Sequence, residues 1–183
     1  GTPGRGPDWE RAVHHEFAEI TLADQIDALH AVAERNPDLD LSRVAIRGWS
    51  YGGYLAALAV LRKPEVIRAA VAGAPVTDWR LYDTFYTERY LGHPDADPAV
   101  YQRNSLLDDA KNLNASLLLI HGLADDNVFA AHTLRLSSAL LAAGRSHTVL
   151  PLSGVTHMSP TSEVEAENFM LMQVNWLKHT LGA

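Results

Sequence analysis

The sequence predicts an α/β fold, a mostly parallel sheet with helices on both faces. Three observations carry this expectation. Short, nearly continuous apolar runs recur along the chain, stretches of helical periodicity separate them, and Gly, Pro or Asn stands at the joints.

In chain order, Gly1 to Pro7 reads as loop because Gly and Pro disfavour regular structure. A short helix is expected within Trp9 to Phe17. Thr21 then opens a clear helix, with Leu22, Ile26, Leu29 and Val32 at helical spacing and Asn36-Pro37 as its stop. Thr21 with Asp24 three residues on resembles a capping box. Val44-Ala45-Ile46 is a short strand, and Ser50 to Leu61 is an Ala/Leu-rich helix ended by Lys63-Pro64. Ala69 to Ala74 and Ser116 to Ile120 are further strands. Val128 to Ala143 is a helix with Gly144 at its C-terminal end. His147 to Leu150 is a strand, and Thr161 to Leu181 is a long terminal helix. Pro75 to Ala115 interrupts the alternation and is rich in aromatics, among them Trp79, Tyr82, Phe85, Tyr86, Tyr90 and Tyr101. A long excursion after a parallel strand is where such folds bind ligands.

At 183 residues the chain suffices for one domain with a substantial core. A formal net charge of -7 argues against nucleic acid or an anionic membrane as the main partner. With no cysteine there is neither a disulfide framework nor a thiolate metal site, and no H-E-x-x-H string appears. No metal or other cofactor is therefore expected. No apolar run is long enough to span a bilayer, and Gly1 to Pro7 has no signal-peptide core. The cytoplasm is the favoured compartment. The chain does not begin with Met, and a piece of a longer protein is the expectation.

Gly48-Trp49-Ser50-Tyr51-Gly52 matches G-x-S-x-G between a strand and a helix. A serine in that tight turn is lifted over the sheet edge. Glycines two residues before and after relieve collisions, and Gly53 leaves room for close helix packing. The Tyr51 backbone N–H, at a helix N-terminus, is aimed at a developing oxyanion. The α/β-hydrolase order is Ser, then Asp or Glu, then His, each after a strand. The strand ending at Ile120 runs into Asp125 and Asp126, between which spacing separates poorly. The strand ending at Leu150 leads to His157. His157 would take the Ser50 proton and Asp125 would hold its tautomer, so activity should fall on acidification as histidine takes up its proton. Of the nine histidines, only His157 follows both a strand and a candidate acid. His121 reads as a structural histidine at a strand end, and His14-His15 as a surface pair or a fortuitous metal site.

These strings resemble the prolyl oligopeptidase family, and within it the dipeptidyl peptidase IV branch. The resemblance rests on Gly-Trp-Ser-Tyr-Gly-Gly-Tyr (48 to 54), Tyr-Asp-Thr-Phe-Tyr-Thr-Glu-Arg-Tyr-Leu-Gly (82 to 92) and Ile-His-Gly-Leu-Ala-Asp-Asp-Asn-Val (120 to 128), and runs in register from about Gly4 to the end. It implies an α/β-hydrolase catalytic domain over 1–183, with Asp125 rather than Asp126 as the acid. It also implies a proline-accepting pocket of Tyr51, Val76, Trp79, Tyr82, Tyr86 and Val128, with Asn127 bonding a substrate carbonyl. Aromatic walls suit a pyrrolidine ring. Where relatives commonly carry Gly after the histidine, Met158 stands here.

The resemblance further implies that a β-propeller and the first hydrolase strands precede the region of Gly1. A tyrosine of the oxyanion hole and the acids that grip a substrate amino terminus would lie there too. The sheet in this chain would then be incomplete on its N-terminal side. The expected function is a serine peptidase acting on short peptides through an acyl-enzyme, dipeptidyl- or aminopeptidase-like, with proline or a small residue before the cleaved bond. The alternatives are an esterase on the same fold, or an inert fragment or binding module. The terminal helix suits either packing on the sheet or homo-oligomer formation.

Overall fold

The computed structural model describes residues 3–158 and 162–182. Four strands, β1 (Ala45–Trp49), β2 (Ala69–Gly73), β3 (Ser116–Gly122) and β4 (Thr148–Leu152), pair in parallel in the order β1-β2-β3-β4. Register places Trp49 opposite Gly73, Gly73 opposite Ile120 and Ile120 opposite Leu150. The C-terminal ends of all four strands therefore share one edge, where the three candidate loops emerge. All of β2 is buried, and β3 is buried beyond Ser116, as near-continuous apolar runs require in a sheet covered on both faces.

The period of two in β2 and β3 divides the core. Ala70, Ala72, Leu117 and Leu119 face a cluster shared with α2 (Glu19–Arg35), α3 (Tyr51–Arg62) and α6 (Ala131–Ala142). Val71, Leu118 and Ile120 face the other way, against Phe169, Met172, Trp176 and Leu177 of α7 (Glu163–Leu181). One edge of α7 is thus accounted for by packing on the sheet, while Val164, Met170 and Leu171 are exposed.

Element boundaries differ from expectation where hydrogen bonds claim the backbone groups near an end. The first helix, α1, covers only Pro7–Arg11. Helix α2 starts at Glu19, before Thr21, and Thr21 is no cap: its hydroxyl donates back to the Phe17 carbonyl. Its start is held by Glu16, whose Oε1 accepts from the N–H groups of Ala18 and Glu19 at 2.9 Å, and by Asn104, whose Oδ1 accepts from those of Phe17 and Ala18 at 2.8 and 3.0 Å. Helix α6 begins at Ala131, since the Val128 N–H and carbonyl are both engaged elsewhere. Gly144 follows its end at φ 68°, as a left-handed terminator should. Strands β1, β3 and β4 each run two or three residues past their expected ends, and β1 and β4 start one residue later than expected. The predicted start of the last helix, Thr161, lies outside the described residues; Ser162 caps the helix by accepting from Glu165 N–H at 3.3 Å.

The excursion after β2 carries α4 (Thr84–Leu91) and α5 (Pro98–Arg103) plus tight turns at Trp79–Leu81 and Ala110–Asn112. It is stitched down by Arg62 to Asp109 at 2.7 Å and by Thr77, whose N–H reaches His132 Nδ1 at 3.1 Å.

Candidate active site

Ser50 joins β1 to α3 at φ 58° and ψ -119°, a conformation L-residues adopt only under strain, at about 1–3 kcal/mol. Its backbone is over-determined. Its N–H donates to the Gly73 carbonyl at 2.8 Å and its own carbonyl accepts from Tyr54 N–H at 2.9 Å. Among the described residues the hydroxyl makes no hydrogen bond, to His157 or to any other group; the His157 ring bonds to Asp125.

Glycine is required here by direct contact. A Cβ on Gly48 would stand 2.0 Å from the Gly52 carbonyl oxygen, and one on Gly53 would stand 2.2 Å from that of Gly73. Gly52 itself faces open space. The second collision expected of the motif thus falls at Gly53, where α3 crosses β2, and not at Gly52. Tyr51, the first residue of α3, has a backbone N–H free of any partner among the described residues and pointed out of the helix start.

Asp125 follows β3 with its side chain fully buried. Oδ1 accepts from the N–H groups of Asn127 and Val128 at 3.0 and 2.9 Å. Oδ2 accepts from His157 Nδ1 at 2.8 Å. One oxygen thus shapes the loop and the other holds the histidine. Asp126 is exposed. Because the carboxylate accepts, Nδ1 of His157 carries the proton and Nε2 is left as the basic nitrogen.

The loop bearing His157 is laced to the loop bearing Asp125. Leu123 N–H donates to the Leu152 carbonyl at 2.9 Å, and Ala124 N–H to that of Val155 at 3.0 Å. Gly122 lets them close up: a Cβ there would stand 2.2 Å from the Val155 oxygen. The Trp49 indole N–H donates to the His157 carbonyl at 2.7 Å, bringing the histidine beside the serine turn.

His121 is buried and structural, as expected. Its Nε2–H donates to the Val128 carbonyl at 2.7 Å, so Nδ1 accepts from the Thr133 hydroxyl at 2.7 Å. Burial lowers its pKa and keeps it neutral, 3.5 Å from Asp125 Oδ2. His14 and His15 stack at 3.8 Å, and no group of three potential metal ligands occurs among the described residues.

The aromatic residues converge. Trp79 is the hub, with ring centroids 4.7 Å from Phe17, 5.9 Å from Tyr51 and Tyr82, and 6.2 Å from Tyr86. Trp79, Val76 and Val128 are buried in the same apolar cluster, while of the expected pocket residues Tyr51 and Tyr86 reach a cavity. Tyr82 Oη donates to Asn127 Oδ1 at 3.1 Å, which ties the excursion to the acid loop. Tyr51 and Tyr86 also line an open cavity of about 330 Å³ with Phe17, Thr21 and Tyr90. Burial pushes the Tyr51 phenol up to about 12, and its hydroxyl donates to the Phe17 carbonyl at 3.0 Å. Phe17 was not foreseen as part of this cluster. It stands 34 residues from Tyr51, and no local spacing reports that contact.

A strained serine after one parallel strand, an acid after a later one and a histidine after the last follow the plan of the α/β-hydrolase fold. Comparison with solved structures agrees. A dipeptidyl peptidase 4 from Porphyromonas gingivalis superposes with a TM-score of 0.90 at 32% identity, over 97% of this chain and 25% of that one. The model of the prolyl oligopeptidase family matches residues 1–183. The chain therefore belongs to the prolyl oligopeptidase family of serine peptidases. Among curated relatives it is 39% identical to dipeptidyl peptidase 8 of Homo sapiens over the whole of this chain, and 38% identical to dipeptidyl peptidase 4 of Sus scrofa over 77% of it. The chain spans 21% and 19% of their lengths.

Proposed function

We propose that this chain is the C-terminal part of an α/β-hydrolase catalytic domain and works as a serine peptidase, with Ser50, His157 and Asp125 as its triad. The hydrogen bond from His157 Nδ1 to the buried Asp125 carboxylate carries the reading, because it leaves Nε2 basic on a ring tethered beside the strained serine.

In this mechanism Ser50 Oγ attacks the scissile carbonyl while His157 Nε2 takes its proton. The carbonyl electron pair moves onto oxygen and is met by the Tyr51 N–H. Collapse expels the amine, which takes the proton back from His157, and leaves an acyl-serine. Water, deprotonated by the same histidine, then attacks the acyl carbon, and the acid is released as His157 returns that proton to Ser50 Oγ. Asp125 stays ionised throughout and stabilises the imidazolium.

The substrate class proposed is a short peptide, cleaved in dipeptidyl- or aminopeptidase fashion after proline or a small residue. Its support is the aromatic cluster of Tyr51, Trp79, Tyr82 and Tyr86 over Val76 and Val128, with Asn127 beside it to bond a peptide carbonyl. The similarity to proteins named dipeptidyl peptidase supports the same choice.

The test is intact mass after treatment with a fluorophosphonate, on wild type and Ser50→Ala. One added phosphonyl group on wild type alone is expected. A folded wild type that takes none would overturn the triad assignment.

A further inference from the structure

Trp49 precedes the proposed nucleophile and has no part in the chemistry above, yet its side chain is contacted at three places. It sits opposite Gly73 in the β1–β2 register, and a Cβ on Gly73 would stand 1.9 Å from Cε3 of the indole. The ring occupies the space a side chain would otherwise fill, against the backbone of a fully buried strand. From the other side, Phe169 of α7 meets it edge-on, with centroids 6.1 Å apart and an interplanar angle of 87°. The half-buried ring also lines a cavity with His157, Met158 and Phe169, and its one donor points at the His157 carbonyl, 2.7 Å away.

That carbonyl belongs to the residue whose ring is fixed on Asp125. Beyond it the chain runs straight into Met158, 70% exposed. The loop's preceding anchor is the Val155 carbonyl, held by Ala124 N–H at 3.0 Å. Without the indole N–H, nothing among the described residues fixes the His157 backbone itself, and the ring could pivot about its single bond to Asp125. Packing alone asks only for an aromatic ring between Gly73 and Phe169, and makes no use of a donor.

We infer that Trp49 is a positioning residue for His157: its indole N–H clamps the histidine's carbonyl, so that the ring anchored on Asp125 presents Nε2 to Ser50. The inference rests on the triad proposed above. It makes the residue between Gly48 and Ser50 part of the proton-transfer geometry, where a misplacement of about 1 Å costs on the order of 100-fold in rate.

Two replacements at this position separate the clamp from packing. Trp49→Phe keeps a ring over Gly73 and removes the donor. Benzothienylalanine in place of Trp49 keeps the full bicyclic shape with sulfur where the N–H was. The second guards against a Phe variant that packs badly. The readouts are the rate constant for inactivation by a small fluorophosphonate across a pH series, and the downfield Nδ1 proton resonance of His157. Both variants should inactivate about 10- to 100-fold more slowly, with an altered pH profile and a broadened or lost Nδ1 proton signal. Wild-type rates and an unchanged pH profile in the benzothienyl protein would overturn the clamp, even if its Tm fell. Should wild type itself take no phosphonate, the triad reading fails separately and the proton resonance decides. Its loss in both variants would uphold the clamp, and its persistence would overturn it.

Discussion

At the residue scale, the two neighbouring carboxylates are distinguished by what their oxygens meet. All the hydrogen bonds to the Asp125 side chain come from donors, two backbone N–H groups and the His157 ring. An asparagine there can satisfy the loop through its oxygen, but must then turn an NH2 toward His157. The ring would adopt the other tautomer and present N–H, not a lone pair, to Ser50. Asp125→Asn should therefore slow phosphonylation about 10,000-fold in a folded protein. Asp126→Asn, at an exposed position, should stay within a few-fold of wild type. Comparable losses in both would show that the acid had been misassigned. The strained turn at Ser50 and the loop of His157 were legible in the sequence because each has a local signature, flanking glycines or an apolar strand straight before it. Choosing Asp125 over Asp126 needed the family resemblance. The Trp49 contact to His157 spans 108 residues and left no trace in any local pattern.

At the element scale, every strand was legible, since four short apolar runs leave little else to build. Helix starts were less so, because side chains that claim the backbone groups at a helix end leave no mark in the apolar periodicity. Glu16 and Asn104 together hold the start of α2 before Thr21, and Asp125 with His121 holds Val128 out of α6. The same distinction between local rule and tertiary contact governs the glycines of the serine turn. Gly52→Ala adds a methyl group in open space near a helix start, so stability should be unchanged or rise by up to about 1 kcal/mol. Gly53→Ala drives its Cβ against the Gly73 carbonyl that also accepts from Ser50 N–H, and should cost about 1–3 kcal/mol. Urea denaturation of the two variants checks this, and an equal loss in both would mean that the motif's spacing, not the packing of α3 on β2, sets the requirement.

At the scale of the whole molecule, acid sensitivity is built into the joint between the excursion and α6. His132 is fully buried, and its Nδ1 accepts from Thr77 N–H while the Thr77 hydroxyl donates to the His132 carbonyl at 2.7 Å. Burial first, then the neighbouring His121, lowers its pKa to about 4 from an ordinary 6.5; Asp78 and Arg135 face it with opposing effects. The folded state thus binds this proton less readily than the unfolded chain, so stability rises with pH wherever the unfolded chain holds the extra proton. The contribution is complete above pH 6.5 and drains away as pH falls toward 4. A shift of this size is worth about 3 kcal/mol. Protonation also abolishes the acceptor that Thr77 N–H uses, and so loosens the segment that carries Trp79 and Tyr82 over the proposed site. Tm measured across pH 7 to 4 should fall steeply in wild type and less steeply in His132→Gln, whatever that variant's stability at neutral pH, because the amide does not titrate. Parallel curves for the two proteins would place the acid sensitivity elsewhere and leave His132 as a silent core residue.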